Sequence, residues 1–156
     1  MQINFLIIKC FVFNNKNKKI FKEKMNQFYN SVFQKGDKIN LVSSLITNNP
    51  ELVNMPFEVT MNSQKTIQSP LTFSLLVKYT EIAKFLLEKG ADINFKNSPD
   101  EECPIHIACR YGFEEIVRIL LDNPKVNLSS INKNRETCFK LALQNSHIQI
   151  VQHKMI

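Results

Sequence analysis

The chain has 156 residues, of which 44% are hydrophobic and 22% charged, so it is long enough to fold as one compact domain with an apolar core. Its formal net charge of +6 is concentrated in residues 1–24, which hold six lysines and one glutamate. The rest of the chain is nearly neutral and offers no basic stripe for phosphates, so we expect no nucleic-acid binding. The four cysteines show no paired framework, which favours a reducing, intracellular compartment. We expect the cytoplasm rather than the nucleus.

Residues 1–24 are predicted to be an N-terminal extension, apolar over residues 1–13 and rich in lysine after that. The apolar part is too short to span a bilayer, which needs about 20 residues. It also lacks the basic start and the small-residue cleavage site of a secretory signal. We favour an extra helix or strand packed on the next element; the alternatives are a disordered extension, a membrane anchor, or a start site wrongly placed upstream of Met25. The lysines are interpreted as a solvated tether rather than a nuclear-import signal.

Residues 25–54 are predicted to form a first helix pair, with a break at Gly36 and an ending at Asn49 and Pro50. Its polar outer face suits a terminal unit. The connection that follows, residues 55–68, carries many polar residues, which predicts an extended loop or a long hairpin. The apolar positions of the first pair recur at helical spacing: Phe28, Val32, Phe33, Leu41, Val42, Leu45 and Ile46.

Three more helix pairs are predicted over residues 69–94, 103–127 and 137–156, because the sequence resembles itself after a shift of 34 residues. In the middle copy Gly112 separates the two helices. Each helix is too short to be stable alone in water, so the pairs must stack on one another. The shift aligns three sets of residues: Ser74, Ala108 and Ala142; Ile82, Ile116 and Ile150; Leu87, Leu121 and Met155.

One unit of this pattern reads Pro104-Ile105-His106-Ile107-Ala108, then Ile116-Val117 and Leu120-Leu121, and its closing part is matched by Lys89-Gly90-Ala91-Asp92-Ile93-Asn94. In these residues the chain resembles the ankyrin repeat family. The resemblance implies an all-α fold, an ankyrin-type α-solenoid of about four helix-turn-helix repeats joined by hairpin-like loops.

The family pattern also assigns local roles within each unit. It implies that Cys103, like Ser69 and Thr137, begins a first helix where the family keeps a capping threonine. It implies that His106 is a buried hydrogen-bonding residue that ties neighbouring repeats. The second unit departs from the pattern at Lys78, which stands at the position of the glycine, so we expect an irregular turn there.

Cys103, His106 and Cys109 form a cluster of side chains that could bind a metal ion or act in catalysis. On one helix, side chains three and six residues apart diverge, so we expect no tetrahedral metal site and no cofactor. A Cys103–His106 nucleophile pair is the alternative enzyme hypothesis, but no orienting group or oxyanion donor accompanies it. The sequence therefore predicts a protein that is not an enzyme. Asn127-Leu128-Ser129 matches a glycosylation sequon, and we interpret it as a turn in which Asn127 bonds the backbone.

The function implied by the resemblance is protein binding, with the partner unidentified. We expect the partner surface at the ends of the first helices and at the loop tips. The expected helix-end residues are Leu76, Val77, Arg110, Tyr111, Gln144 and Asn145, and the expected tip residues are Lys96, Asn97, Glu101, Glu102, Lys133 and Arg135. Further repeats or self-association would cover the C-terminal apolar face. The alternative functions are a membrane-tethered adaptor that uses residues 1–13 and a thiol enzyme at Cys103 and His106.

Overall fold

The computed structural model describes residues 38–61 and 63–152, together with residues 23, 24, 27, 28, 30 and 32. The described elements are α1 (Lys38–Asn48), a 3-10 helix (Pro50–Asn54), β1 (Phe57–Met61), β2 (Gln64–Gln68), α2 (Pro70–Leu76), α3 (Thr80–Glu88), α4 (Pro104–Tyr111), α5 (Glu114–Leu121), α6 (Cys138–Gln144) and α7 (Ile148–Gln152). The interpretations of residues 1–22, of the break at Gly36 and of the last residues from 153 onward fall outside the described part.

The helices form two layers. Helices α2, α4 and α6 pack side by side in one layer, and α1, α3, α5 and α7 follow one another in the second. Residues spaced by 34 occupy equivalent places: Ser74, Ala108 and Ala142 are fully buried between the layers. We call α2, α4 and α6 the inner helices and α1, α3, α5 and α7 the outer helices. Small side chains at these three positions let successive inner helices approach closely. Ile82, Ile116 and Ile150 are buried beneath the outer helices.

Each inner helix begins with the same arrangement. A proline, Pro70 or Pro104, stands in the first turn of α2 and α4, where its missing N–H is not needed. The side chains of Ser69 and Thr137 accept hydrogen bonds from the backbone N–H groups of the third helical residues of α2 and α6. Cys103 stands at the equivalent position of α4. The predicted cap positions are therefore confirmed.

In the three helix pairs whose turns the structure describes, the turn adopts a left-handed backbone conformation. Lys78, Gly112 and Ser146 have φ angles of 64°, 74° and 62°. The turn at Lys78 thus follows the geometry of the turn at Gly112, so the expected irregularity is absent from the backbone. A glycine adopts this conformation without the steric cost that Lys78 and Ser146 bear.

The fold is not purely helical, and the all-α prediction needs this correction. Strands β1 and β2 form a two-stranded antiparallel sheet, with Phe57 opposite Gln68 and Met61 opposite Gln64. The long-hairpin alternative for residues 55–68 is confirmed. In β1, Phe57 and Val59 are buried and alternate with half-exposed residues, which is the period of a strand with one covered face. The Phe57 ring lies 5.3 Å from that of Phe73 on α2 and 6.2 Å from that of Phe28.

Among the residues that the structure describes, no helix combines the length and the apolar character needed to cross a membrane.

Candidate protein-binding surface

The predicted helix-end residues lie at equivalent places on the three inner helices. Gln144 and Asn145 are exposed at the end of α6. Leu76 and Val77 at the end of α2 are half-buried and pack partly against the core. The set of helix-end residues is therefore polar and exposed at α6, and apolar and half-buried at α2. The surface that they form changes in polarity from one end to the other.

Arg110 at the end of α4 is committed to a contact inside the molecule. Its guanidinium pairs with the Glu102 carboxylate, whose side chain is only 1% exposed. Asn132 Nδ2 lies 3.4 Å from the same carboxylate oxygen. A charged group this deeply buried needs such partners, so Glu102 is a structural residue and Arg110 is held by it.

Two tip residues were predicted wrongly as partner contacts. Asn97 and Glu102 are 2% and 1% exposed, so neither can meet a partner directly. They close their own loop: the N–H of Glu102 donates to Asn97 Oδ1 at 2.8 Å, and the N–H of Asn97 donates to the Glu102 carbonyl at 3.0 Å. The tight turn holds these polar groups inside, where they are hydrogen-bonded. The charge pattern of the sequence does not show this.

The Glu102–Arg110 contact has a counterpart in the following unit but not in the preceding one. One unit later, Gln144 Nε2 donates to Glu136 Oε1 at 3.0 Å. One unit earlier the corresponding residues are Gln68 and Leu76, and Leu76 has no donor to offer. Gln68 is 1% exposed, and its Oε1 has no hydrogen-bond partner among the described residues.

The remaining predicted tip residues are exposed. Lys96, Glu101, Lys133 and Arg135 all reach solvent. Glu101 and Arg135, spaced by 34 residues, both have positive φ angles, of 55° and 58°, so the two tips repeat the same turn.

Backbone hydrogen bonds join the tips to one another. Ile67 and Ser98 exchange two backbone hydrogen bonds of 3.0 Å, and the Lys133 N–H donates to the Asp100 carbonyl at 2.9 Å. Lys96 Nζ donates to the Ile131 carbonyl at 2.9 Å. Since every tip is bonded to the next, the tips form a row of fixed spacing.

A row of asparagine side chains, missed in the sequence, fixes the opposite ends of the same loops. Asn54 bonds to the Gly90 carbonyl and the Asp92 N–H, at 3.1 and 2.6 Å. Asn94 repeats this with the Lys125 carbonyl and the Asn127 N–H, at 2.8 and 2.9 Å. Each of these units ends in an asparagine, and this shared ending was the sequence signal that could have predicted the row. The Asn127 side chain accepts from the Ser129 N–H at 3.1 Å, which confirms the turn predicted at the sequon.

His106 links α4 to the loop that follows it. The ring is fully buried, Nδ1 accepts a hydrogen bond from the Cys103 N–H at 3.2 Å, and Nε2 lies 3.0 Å from the Ser130 carbonyl. Because Nδ1 is the acceptor, Nε2 carries the proton and donates a hydrogen bond to the Ser130 carbonyl. Burial lowers the pKa of His106, so the ring is neutral near pH 7. The predicted burial and hydrogen bonding of His106 are confirmed, and its partner lies in the loop that leads to the next unit.

The same geometry argues against an activated thiol. His106 Nδ1 faces the backbone N–H of Cys103, while Cys103 Sγ lies 3.4 Å from the Asn94 carbonyl and 3.4 Å from Ser130 Oγ. Burial raises the pKa of the Cys103 thiol, and a hydrogen bond with Cys138 together with burial raises the pKa of Cys109. A nucleophilic cysteine needs the opposite shift. Within the described part of the chain, no group of three or more His, Cys, Asp or Glu side chains is arranged to hold a metal ion.

Stacked helix pairs joined by projecting, mutually bonded tips define a helical repeat solenoid. A family model described as "Ankyrin repeats (3 copies)" matches residues 78–153. That segment of the chain therefore belongs to the ankyrin repeat family, whose repeats are protein–protein interaction modules.

Curated relatives share this segment. The chain is 36% identical over 86 residues to the probable 26S proteasome regulatory subunit p28 of Saccharomyces cerevisiae, covering 53% of this chain and 38% of p28. It is 33% identical over 85 residues to alpha-latroinsectotoxin-Lt1a of Latrodectus tredecimguttatus, covering 54% of this chain and 6% of the toxin. It is 41% identical over 64 residues to protein phosphatase 1 regulatory subunit 12A of Mus musculus, covering 41% of this chain and 6% of that subunit. The chain thus spans well under half the length of these relatives.

Proposed function

We propose that this chain is a non-catalytic protein-binding scaffold that presents one rigid face to another protein. The observation that carries the proposal is the fixed row of exposed polar and charged residues at Lys96, Glu101, Lys133 and Arg135, held by hydrogen bonds between successive tips. A surface ordered before binding loses little conformational entropy when a partner docks.

We further propose that about four ankyrin-like repeats build this scaffold, over residues 25–54, 69–94, 103–127 and 137–156, with residues 55–68 inserted after the first. The 3-10 helix at Pro50–Asn54 supports the first unit, because Asn54 bonds forward to residues 90–92 just as Asn94 bonds to residues 125–127. The partner contacts are assigned to the exposed tip residues and to Leu76, Val77, Tyr111, Gln144 and Asn145.

The relatives support a scaffold whose partner depends on its surface residues. Two are named as regulatory subunits, one of the proteasome and one of protein phosphatase 1, and a third is named as a toxin. The shared repeat therefore occurs in proteins of quite different description, and the partner of this chain follows from its own surface. Three buried cysteines without a disulfide, Cys103, Cys109 and Cys138, support a reducing, intracellular location, for which the cytoplasm remains our proposal.

An affinity capture with the full chain as bait tests the proposal. We expect a partner that is retained by the wild type and reduced at least about tenfold by the tip variant Lys133→Glu/Arg135→Glu, since reversed charges repel a complementary surface. The control variant Arg118→Glu/Lys125→Glu makes the same change of charge at exposed residues outside the predicted surface. Equal capture by the wild type and the tip variant would contradict the assigned surface.

A further inference from the structure

The edge of the molecule where inner helices turn into outer helices carries a second cluster, which adjoins the proposed partner surface at Tyr111 and which we name the turn-edge cluster: Lys38, Lys78, Tyr79, Tyr111 and Phe113. We propose that this cluster binds an acidic segment of the partner protein, one that carries an aliphatic side chain between carboxylates. The inference rests on the proposed function and adds a partner chemistry and a place outside the loop tips.

The first half of the cluster is centred on Tyr79, at the start of α3. Lys38, the first residue of α1, donates to the Tyr79 hydroxyl, and its Nζ lies 4.0 Å from the centre of the ring. Contact with an aromatic ring holds a lysine ammonium in one place. The Lys38 ammonium therefore lies against Tyr79 in the absence of a partner.

The second half repeats this chemistry one unit later. Lys78 Nζ lies 4.9 Å from the centre of the Tyr111 ring, and Tyr111 stacks on Phe113 with ring centres 5.7 Å apart and planes inclined by 28°. Phe113 stands 34 residues after Tyr79, so the two aromatic residues begin successive outer helices. Two ammonium groups therefore lie along one edge, each beside an aromatic ring.

A groove of about 250 Å³ is lined by both lysines. Ile39, Tyr79 and Ile82 contribute apolar surface to it, and Lys38 and Lys78 contribute positive charge. A groove with apolar surface and two cations fits an aliphatic side chain flanked by carboxylates.

Carboxylates of the described part of the chain leave these two lysines unpaired. Lys24, Lys65, Lys84, Lys140 and Arg110 each contact a carboxylate within 4.0 Å, whereas no described carboxylate comes within that distance of Lys38 or Lys78. Glu81 also borders the groove but bonds to Lys84 at 2.9 Å. Residues 1–24 of the chain itself, with six lysines and one glutamate, carry the wrong charge to occupy it.

The test is a selection of random dodecapeptides displayed on phage, with the full chain as the immobilised target. We expect the enriched peptides to combine aspartate or glutamate with leucine, isoleucine or valine. Their affinity should fall at least about tenfold for Lys38→Glu/Lys78→Glu and should weaken as salt rises from about 0.05 to about 0.3 M. The variant Lys89→Glu/Lys125→Glu is the matched control, because Lys89 also lies over an aromatic ring, 5.4 Å from the centre of Phe85. It should bind like the wild type.

The other outcomes overturn the inference. They are enrichment of basic peptides, no enrichment, or acidic peptides that bind the Lys38→Glu/Lys78→Glu variant as tightly as the wild type. Circular dichroism of each variant confirms that the fold is retained. If the selected peptides lose affinity for the tip variant Lys133→Glu/Arg135→Glu instead, the turn-edge site is excluded while the proposed function stands.

Discussion

Cys103 shows how one atom changes a position that is otherwise repeated. At the start of α2 and α6, the Ser69 and Thr137 hydroxyls accept hydrogen bonds of 3.2 and 3.3 Å from the third helical N–H. At the start of α4 the same place holds a thiol, which is a much weaker acceptor. The α4 start keeps the capping-box arrangement, in which the His106 ring accepts from the Cys103 N–H, but its side-chain acceptor is the weaker one.

Replacing Cys103 by threonine is expected to raise the free energy of unfolding by about 0.5–1 kcal/mol, because a hydroxyl caps the helix better than a thiol. The reverse change, Thr137→Cys, should lower the stability by a similar amount. Chemical denaturation of both variants measures the two effects. An unchanged or lower stability of the Cys103→Thr protein would show that the thiol already caps α4 adequately.

The buried ion pair predicts a larger effect of opposite sign. Arg110→Ala leaves the Glu102 carboxylate buried without its guanidinium, so we expect a loss of about 3 kcal/mol. Adding Glu102→Gln to Arg110→Ala removes the uncompensated charge and should recover much of the loss. Urea unfolding of the wild type, the single variant and the double variant measures both effects. If Arg110→Ala unfolded at the wild-type denaturant concentration, the pair would be structurally irrelevant and Arg110 would be free for a partner.

At the scale of elements, the turns between paired helices explain how tightly successive units are joined. His147, which precedes α7, packs on the Gly112 turn of the unit before it, and its Nε2 lies 3.1 Å from the Arg110 carbonyl. A Cβ at Gly112 would lie 2.5 Å from Cε1 of that ring. A glycine is thus favoured at position 112 for two reasons: the positive φ angle of the turn and the close contact with the His147 ring.

Gly112→Ala is expected to destabilise the protein by at least about 2 kcal/mol, since it combines left-handed strain with a displaced His147 ring. Ser146→Gly is the matched control, because Ser146 adopts nearly the same φ angle at an exposed turn. It should be neutral or raise the stability by up to about 1 kcal/mol. Thermal unfolding measures the stability of the two variants. Equal changes in stability would show that the close contact between Gly112 and His147 does not contribute.

Elements with a strong period were predictable from the sequence, and contacts between elements were less so. The helix pairs, their caps at Ser69 and Thr137 and the turn at Gly112 follow from local chemistry that a single unit contains. The β1–β2 sheet was only one of two alternatives, because a short amphipathic strand gives a weak signal beside many polar residues. The burial of Asn97 and Glu102 was missed, since charge patterns do not show which polar side chains a tight loop turns inward.

At the scale of the whole molecule, polar contacts between units hold the row of tips together. Asn54 and Asn94 each reach a backbone group of the next unit, and His106 reaches the loop that leads to the next unit. The tips bond directly to one another. Such contacts recur along the stack, so the solenoid is ordered by interactions between neighbours.

His106 makes the stability of the stack depend on pH. Its pKa is lowered in the folded protein, while the unfolded chain binds a proton near its ordinary value of about 6.5. Below that pH the unfolded state holds more protons, so the free energy of unfolding should decrease as pH falls from about 6.5 towards 5, by up to about 1.4 kcal/mol per pH unit. His106→Gln should be less stable at pH 7 and should lack this slope. Parallel slopes of the two proteins in denaturant titrations would contradict the assignment.

The central claim, that one face of the stack holds another protein, is tested most directly by site-specific photo-crosslinking. A benzophenone amino acid is placed singly at Gln144 and Lys133 on the proposed surface, and at Glu88 and Asp122 outside it; all four residues are exposed. After irradiation of the full chain in cell lysate, mass spectrometry identifies the adducts. The account predicts that Gln144 and Lys133 yield adducts of one common protein and that Glu88 and Asp122 do not. Adducts of that protein only from Glu88 or Asp122, or equally from all four sites, would contradict it.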